Sequence, residues 1–541
     1  MSGDRIEGHG GRLAMEALAR FGVNELFTLS GAHVFPLYDA AVDMDVRIYG
    51  VRHEQTATFA AEGLAKLTRR PGVAALTAGP GVTNGVSAIA TARHNGSPLV
   101  VLGGRAAEEG WGRGALQEFD HVPVVASVTK WAHTVRATND IGGAVTRAAT
   151  ESLTPHRGPT FLDLPLDVVF GQGSAELGEA VPPVGVQADP DAVARAVALL
   201  AGAERPALLV GSDVYWDGAW DQLRAAAETL RLPVFANGLG RGLLPADHDL
   251  SFSRVRGLLK AEADVVAVLG TPLDFRVGFG VFGDAQVIHV TDSPDGVSAT
   301  AQTAESVVGG IGAVLAAWAD HAGEVADHEP WIGQLTEAEA SARAGDAQLL
   351  AAAGDPILPT RVYGELAKVL DRDAVVICDG GDFVSYAGKY VDSHLPGRWL
   401  DPGPFGCLGT GMGYAMAARV AHPDAQVVVL MGDGAAGFSL MDVESLVREQ
   451  LPVVILCGNN GIWGLEKHPM RFLYGYDVAA DLQPGLRYDQ VVQAMGGGGE
   501  MVTEPTQIAP ALQRGFDAGV PYLVNVLTDP ADAYPRSSNL A

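Results

Sequence analysis

Cysteine is scarce in this sequence: three in 541 residues, at Cys378, Cys407 and Cys457. All lie in the last third, two of them inside apolar runs. An odd and scattered set excludes a disulfide framework and a cysteine-based zinc site. It fits a reducing compartment. Basic residues are also few, 37 Lys and Arg against 64 Asp and Glu, for a formal net charge of -27. That balance excludes nucleic acid as a partner, because phosphates need a basic face. The excess negative charge is read as solubility, and an anionic ligand would need local basic groups or helix N-termini. No uninterrupted apolar run is long enough to span a bilayer. No apolar stretch follows Met1-Ser2-Gly3-Asp4-Arg5-Ile6-Glu7-Gly8 to make it a signal peptide. A soluble, cytoplasmic protein with no membrane partner is expected.

What is present is ordinary for a globular enzyme, 48% hydrophobic and 19% charged residues. The length predicts about three domains. Buried strands are predicted at Glu25–Leu29, Val73–Thr77, Pro98–Leu102 and Pro159–Pro165, alternating with helical patterns such as Gly11–Phe21. Residues 171–190 lose periodicity and gather Gly, Pro and acids, as in Pro182-Pro183-Val184-Gly185, and read as a linker. A second strand-helix series runs through Pro206–Val210, Val234–Ala236, Val265–Leu269 and Val287–Val290. Residues 320–357 read as a helix and connecting loop. A third series has strands at Ala374–Cys378, Val427–Met431, Val453–Leu456 and Tyr522–Leu527, with Gly496-Gly497-Gly498-Gly499 as a turn. Strands alternating with helices imply an α/β chain of three doubly wound parallel sheets. The domains are set at 1–172, 190–335 and 356–541.

Two strand ends carry the strongest chemical signal. Gly432-Asp433-Gly434 closes one apolar run, and 24 residues later Asn459-Asn460 closes another. Parallel strands would aim Asp433 and Asn460 at one point beyond the carboxyl edge, where open α/β sheets bind ligands. A carboxylate, an amide oxygen and a nearby backbone carbonyl make an oxygen-only set. Such a set suits Mg²⁺, which leaves its other positions to water and ligand phosphates.

This pattern resembles the signature of thiamine diphosphate (ThDP) enzymes. Upstream, His53-Glu54-Gln55 with Phe59-Ala60-Ala61-Glu62-Gly63 is similar to the family's pyrimidine-binding domain. The resemblance implies that Glu54 hydrogen-bonds N1′ of the aminopyrimidine. Drawing N1′ toward protonation makes the 4′-amino group acidic, so that its imino form can take the proton from thiazolium C2. Gly79-Pro80-Gly81-Val82-Thr83-Asn84 resembles the family's Gly-Pro-Gly loop and adds Pro80 and Asn84 to the cofactor contacts, with Gly31 at the end of an earlier strand. Leu116-Gln117-Glu118-Phe119 resembles the loop that brings a glutamine to the substrate, making Gln117 the second catalytic candidate. In the third domain, Gly381, Asp382 and Phe383 fall near the diphosphate. An acid there needs a cation or a donor to offset it. Pro404-Phe405-Gly406-Cys407-Leu408 resembles the loop that bends the cofactor, with Leu408 as an apolar wedge and the Gly406 carbonyl as acceptor. Gly432, Gly434, Ala435, Ile462, Trp463 and Gly464 complete the implied pocket, with Asp433, Asn460 and the Ile462 carbonyl as the implied Mg²⁺ ligands and backbone N–H groups of Gly434 and Ala435 offered to the diphosphate.

Over nearly the whole chain the likeness is to acetolactate synthase-like proteins. These decarboxylate a 2-oxo acid such as pyruvate and ligate the remainder to a second carbonyl compound. Stretches such as Arg487-Tyr488-Asp489 resemble 2-hydroxyacyl-CoA lyases and oxalyl-CoA decarboxylases instead, which act on acyl-CoA substrates. The tail Asp529–Pro535 offers no extra segment to cover CoA. In the central domain the resemblance leaves FAD, ADP or an empty pocket open, with Asp292 placed either for a ribose hydroxyl or as a helix cap. Retention of Glu54, Asp433 and Asn460 argues against a non-catalytic subunit. The resemblance also implies a homodimer at least, with a homotetramer favoured, since one chain alone is expected to hold Glu54 far from the metal site.

Overall fold

A computed structural model of the chain describes residues 4–181 and 183–535. Met1-Ser2-Gly3 and Pro182, quoted above, lie outside the described residues. The chain forms two compact units. One comprises Met1–Pro183, Ile377–Val384 and Asp401–Ala541, the other Val184–Val376 and Ser385–Leu400.

The first unit begins with β1 (Asp4–His9), β2 (Glu25–Thr28), β3 (Arg47–Gly50), β4 (Gly72–Leu76), β5 (Leu99–Arg105), β6 (Trp131–Thr134), β7 (Pro159–Pro165) and β8 (Gln172–Leu177). The six strands β2 to β7 make one parallel sheet ordered β3-β2-β4-β5-β7-β6. Its middle strands are buried along their whole length, as expected for a sheet covered on both faces. The second unit holds β9 (Pro206–Val210), β10 (Val234–Ala236), β11 (Ser251–Phe252), β12 (Val265–Leu269), β13 (Gln286–Thr291) and β14 (Glu305–Val308). Their order is β11-β10-β9-β12-β13-β14, the order of dinucleotide-binding sheets. The last sheet has β15 (Val375–Asp379), β16 (Trp399–Leu400), β17 (Val427–Gly432), β18 (Val454–Asn459), β19 (Gly498–Val502) and β20 (Tyr522–Leu527), ordered β16-β15-β17-β18-β20-β19. Three parallel six-stranded sheets with helices are the α/β fold read from the sequence.

Two local expectations are corrected. Residues 172–177, inside the expected linker, form β8 and pair antiparallel with β1. That ribbon, Asp-Arg-Ile-Glu-Gly-His on one side, is half exposed and too polar to register as an apolar run. The run Gly496–Gly499 is not wholly a turn, because Gly498 and Gly499 open β19 against Tyr522 and Leu523.

Helix α1 (Glu54–Thr68) follows β3, and α2 (Pro80–Asn95) follows β4. His53 caps α1 by accepting from the Gln55 backbone N–H at 3.2 Å. The face of α1 is small-residued, which permits close packing on α3 (Gly411–Ala421). A Cβ on Gly413 would lie 2.7 Å from the Phe59 side chain. The contact is sealed by a buried polar network. Glu62 accepts from Asn95 Nδ2 (2.9 Å), Ser97 Oγ (3.1 Å) and Tyr414 Oη (2.8 Å), and pairs with Lys66 Nζ at 3.1 Å. Every polar group there has a partner, which is the condition for burying charge without a large penalty.

Candidate active site

The crevice of an open sheet opens where strand order reverses. In the last sheet that point lies between β15 and β17, and a cavity of about 250 Å³ opens there. Thirteen of the residues singled out from the sequence line it: Gly381, Asp382, Phe383, Gly406, Leu408, Gly432, Asp433, Gly434, Ala435, Asn460, Ile462, Trp463 and Gly464. Gly380, Pro402, Gly458, Leu465 and Glu466 line it too. Gly380 and Gly458 stand at strand ends, so the strand-end argument applied evenly would have found them.

Asp433 opens helix α4 (Asp433–Ser439) and is buried. Its Oδ2 accepts from the Gly461 N–H at 2.7 Å and its Oδ1 from the Gly434 N–H at 3.2 Å. Burial nevertheless pushes its carboxyl up to about 6, outweighing those donors. Asn460 follows β18, and its Oδ1 accepts from the Ile462 N–H at 3.2 Å. An amide oxygen has a second lone pair to offer. Trp463 crosses the cavity floor so closely that a Cβ on Gly434 would sit 2.5 Å from its ring. Helix α5 (Gly464–Tyr474) starts beside it. A Cβ on Gly432 would meet no atom within 4 Å, so this backbone faces open cavity. A cradle that any side chain would invade, next to a buried carboxylate short of positive charge, fits a bound anion and a hard cation together.

The loop bearing Leu408 is held from below. Asp379, fully buried at the end of β15, accepts from Gly409 N (3.0 Å) and Gly411 N (2.8 Å). Burial pushes its carboxyl up to about 6 in spite of these bonds. In the sequence Asp379 opens the stretch Asp379–Phe383 expected near the diphosphate, and nothing there points to this support of the Leu408 loop. Asp382, whose charge called for an offset, accepts from the Tyr534 N–H at 3.1 Å, so the C-terminal tail supplies a donor to it.

Gly31, Glu54, Pro80, Asn84 and Gln117 do not line this cavity. They gather at the corresponding reversal of the first sheet, between β2 and β4. Glu54 Oε2 accepts from Asn84 Nδ2 at 3.0 Å. A Cβ on Gly31 or Gly81 would strike Thr77, and one on Gly79 would lie 3.0 Å from Gln117 Cβ. Gln117 itself has φ 58°, a strained left-handed conformation for a side-chain-bearing residue. Thr77 at this focus was not singled out from the sequence, although only Ala78 separates it from the Gly-Pro-Gly loop. Next to Glu54, Gln55 Nε2 donates to the Leu408 carbonyl at 3.1 Å. One chain therefore brings the helix bearing Glu54 onto the loop bearing Leu408.

Comparison with known proteins decides the family. Residues 8–124 match the "Thiamine pyrophosphate enzyme, N-terminal TPP binding domain", residues 193–318 the central domain and residues 379–526 the C-terminal TPP binding domain of the same family. The chain belongs to the thiamine pyrophosphate enzymes. Among its relatives are a probable acetolactate synthase of Mycobacterium bovis and the acetolactate synthase large subunit IlvG of Mycobacterium tuberculosis. Each is 50% identical over 543 residues, covering 98% of both chains. The 2-hydroxyacyl-CoA lyase 2 of Bos taurus is 33% identical over 575 residues, covering 97% of this chain and 90% of that one. This thiamine pyrophosphate enzyme is thus acetolactate synthase-like over its full length. No helix among its described residues is long and apolar enough to cross a membrane.

Proposed function

We propose that this enzyme uses ThDP and Mg²⁺ to decarboxylate a 2-oxo acid, pyruvate in the first instance, and to ligate the product to a second carbonyl compound, as an acetolactate synthase does. The observation that carries the reading is the oxygen set at the ends of β17 and β18, in a chain half identical to acetolactate synthases. Asp433, Asn460 and the Ile462 carbonyl would hold Mg²⁺, and the backbone of Gly434 and Ala435 would receive the diphosphate. Leu408 would wedge between the cofactor rings, with the Gly406 carbonyl as acceptor. Glu54 would hold a proton at N1′, kept in orientation by Asn84. Gln117 would touch substrate. The bound cofactor supplies the carbon nucleophile, and the protein supplies orientation and proton control.

In the second unit, the β9/β12 reversal and buried Asp292 beyond β13 support an adenine nucleotide cofactor, FAD or ADP. Arg241, Arg256 and Arg276 lie close enough that the first and last depress the pKa of Arg256, after burial. Such a cluster favours a diphosphate. Flavin absorbance of the purified protein, and nucleotide released on heating, distinguish the two. The second reading of the reaction, lysis of a 2-hydroxyacyl-CoA or decarboxylation of oxalyl-CoA, is favoured by the likeness to 2-hydroxyacyl-CoA lyase 2. Dimeric or tetrameric assembly and a cytoplasmic location belong to the same reading and rest on the resemblance. The α1–α3 contact is of a kind that two copies could exchange, and light scattering measures the outcome.

The test is incubation with ThDP, Mg²⁺ and pyruvate, with acetolactate and CO₂ quantified against Glu54→Gln. Acetolactate formed by the wild type and lost in the variant is the expected result. No turnover would transfer the assignment to acyl-CoA substrates, where CoA should raise the melting temperature by binding only the native state.

A further inference from the structure

Behind the cation site, away from the cavity, lies a polar cluster that the proposed chemistry does not use. Asn459 ends β18 immediately before Asn460 and is buried. Its Nδ2 donates to the Leu486 carbonyl at 2.9 Å and to Asn525 Oδ1 at 3.1 Å. Asn525, fully buried on β20, donates to the same Leu486 carbonyl at 2.9 Å and to Asp489 Oδ1 at 3.2 Å. Asp489 lies in the first turn of α6 (Tyr488–Ala494) and is gripped by Arg487 through Nε at 3.0 Å and Nη2 at 2.5 Å. The chain closes on the cation site itself, since Tyr488 Oη donates to the backbone carbonyl of Asp433 at 3.1 Å.

One loop, Leu486–Asp489, therefore ties together two strand ends that neighbour each other but carry different donors. Tyr488 reaches the β17 end at Asp433, and Leu486 takes the β18 end at Asn459. Stability alone does not call for such a cluster. Asn459 Oδ1 is buried without a hydrogen-bond partner, a defect that costs stability. An apolar residue would avoid that penalty. What the cluster does touch is both sides of the cation site, at the Asp433 carbonyl and at Asn459 beside Asn460.

We infer that Tyr488, Asp489, Asn525 and Asn459 are positioning residues that set the Asp433–Asn460 spacing for a small octahedral cation, and so make the site prefer Mg²⁺ over Ca²⁺. The inference rests on the cofactor reading above. Mg²⁺ demands near-ideal octahedral geometry at short distances, whereas Ca²⁺ accepts longer bonds and variable coordination. Loosening the layer therefore penalises Mg²⁺ more than Ca²⁺. Partners behind metal ligands typically change affinity by about 10–100-fold when removed.

The test is calorimetric titration of ThDP into the chelator-stripped full-length protein at increasing Mg²⁺ or Ca²⁺, for wild type, Asn525→Leu and Tyr488→Phe. No turnover is needed. In Asn525→Leu the half-saturating Mg²⁺ concentration is expected to rise about tenfold and that of Ca²⁺ by a smaller factor. Tyr488→Phe, which removes one hydroxyl, is expected to shift the same ratio in the same direction. Should Asn525→Leu fail to fold by circular dichroism, Tyr488→Phe decides. Equal factors for the two cations, or no change in either, would overturn the inference. Wild type that binds ThDP with neither cation would instead overturn the cofactor reading, and the inference with it.

Discussion

The first and last sheets are built to one plan. Counted along the chain, each runs second, first, third, fourth, sixth, fifth across its width. They part at the reversal of strand order. In the last sheet the first strand ends in a buried carboxylate, Asp379, and the third in Gly432 followed by Asp433. In the first sheet the corresponding strands end in Thr28 and Leu76. Thr28 Oγ1 donates to the Ala75 carbonyl at 2.6 Å on the neighbouring strand, a neutral bond that serves the sheet. Asp379 turns outward to hold the loop that carries Leu408. The first sheet brings its acid from a helix start instead, at Glu54. On the proposed reading one plan yields two halves of a site, one suited to a cation and an anion and the other to a single proton.

If that division is right, the largest effect belongs to the proton side. Glu54→Gln should lower the exchange rate of the thiazolium C2 proton by about 10²–10⁴-fold while ThDP still binds. NMR of exchange in deuterated buffer measures it, and wild-type exchange in the variant would erase the contrast between the halves. On the cation side, Asp433→Ala should raise the Mg²⁺ needed for ThDP binding by at least the roughly 10–100-fold seen for residues behind metal ligands. Calorimetry reads this directly, and unchanged Mg²⁺ dependence would remove Asp433 from the site.

Asp379 separates the two sheets by pH. Its native pKa is about 6 against 3.8 for an ordinary aspartate. The native state therefore holds this proton more tightly than the unfolded chain does. The group's contribution to stability falls as pH rises from about 4 to about 6 and stays low above that. The difference amounts to on the order of 3 kcal/mol. Asp379→Asn abolishes this titration. Its lost backbone acceptor is a pH-independent change and cancels between two pH values. Urea unfolding at pH 4.5 and 7 should show wild type gaining on the variant at the lower pH. Thr28→Val, at the corresponding place in the first sheet, should show no such pH term.

The sequence makes the shared plan legible because both sheets are buried on both faces. Most of their central strands read as largely apolar runs, and several of these stop at a glycine, as at Gly432. Pro159–Pro165, Pro206–Val210 and Tyr522–Leu527 coincide with the strands observed. Strands with an exposed edge, such as Trp131–Thr134, lack that signal. Site residues at strand ends were legible for the same reason. Contacts that depend on how loops far apart in sequence meet were not. Nothing near Asp382 announces Tyr534, and nothing near Gln55 announces Leu408, 353 residues away. Such pairs follow from how distant segments pack on one another, not from any local pattern.

The smallest effect concerns the contact between the halves. Helix α1 of the first sheet and α3 of the last follow corresponding strands and pack on each other through Glu62, Lys66 and Tyr414. Tyr414 Oη donates to Glu62 Oε2 at 2.8 Å and receives Lys66 Nζ at 2.8 Å, while Lys66 also lies 4.5 Å from the centre of its ring. Tyr414→Phe keeps the ring and the packing but leaves one carboxylate oxygen and one ammonium proton without a partner in a dry interface. The expected loss is about 1–3 kcal/mol, seen as a lower urea midpoint. Because Glu54 lies two turns from Glu62 on the same helix face, a loosened contact should weaken ThDP binding as well. If stability falls while ThDP affinity is unchanged, the network holds the halves together without setting how the proton side meets the cation side.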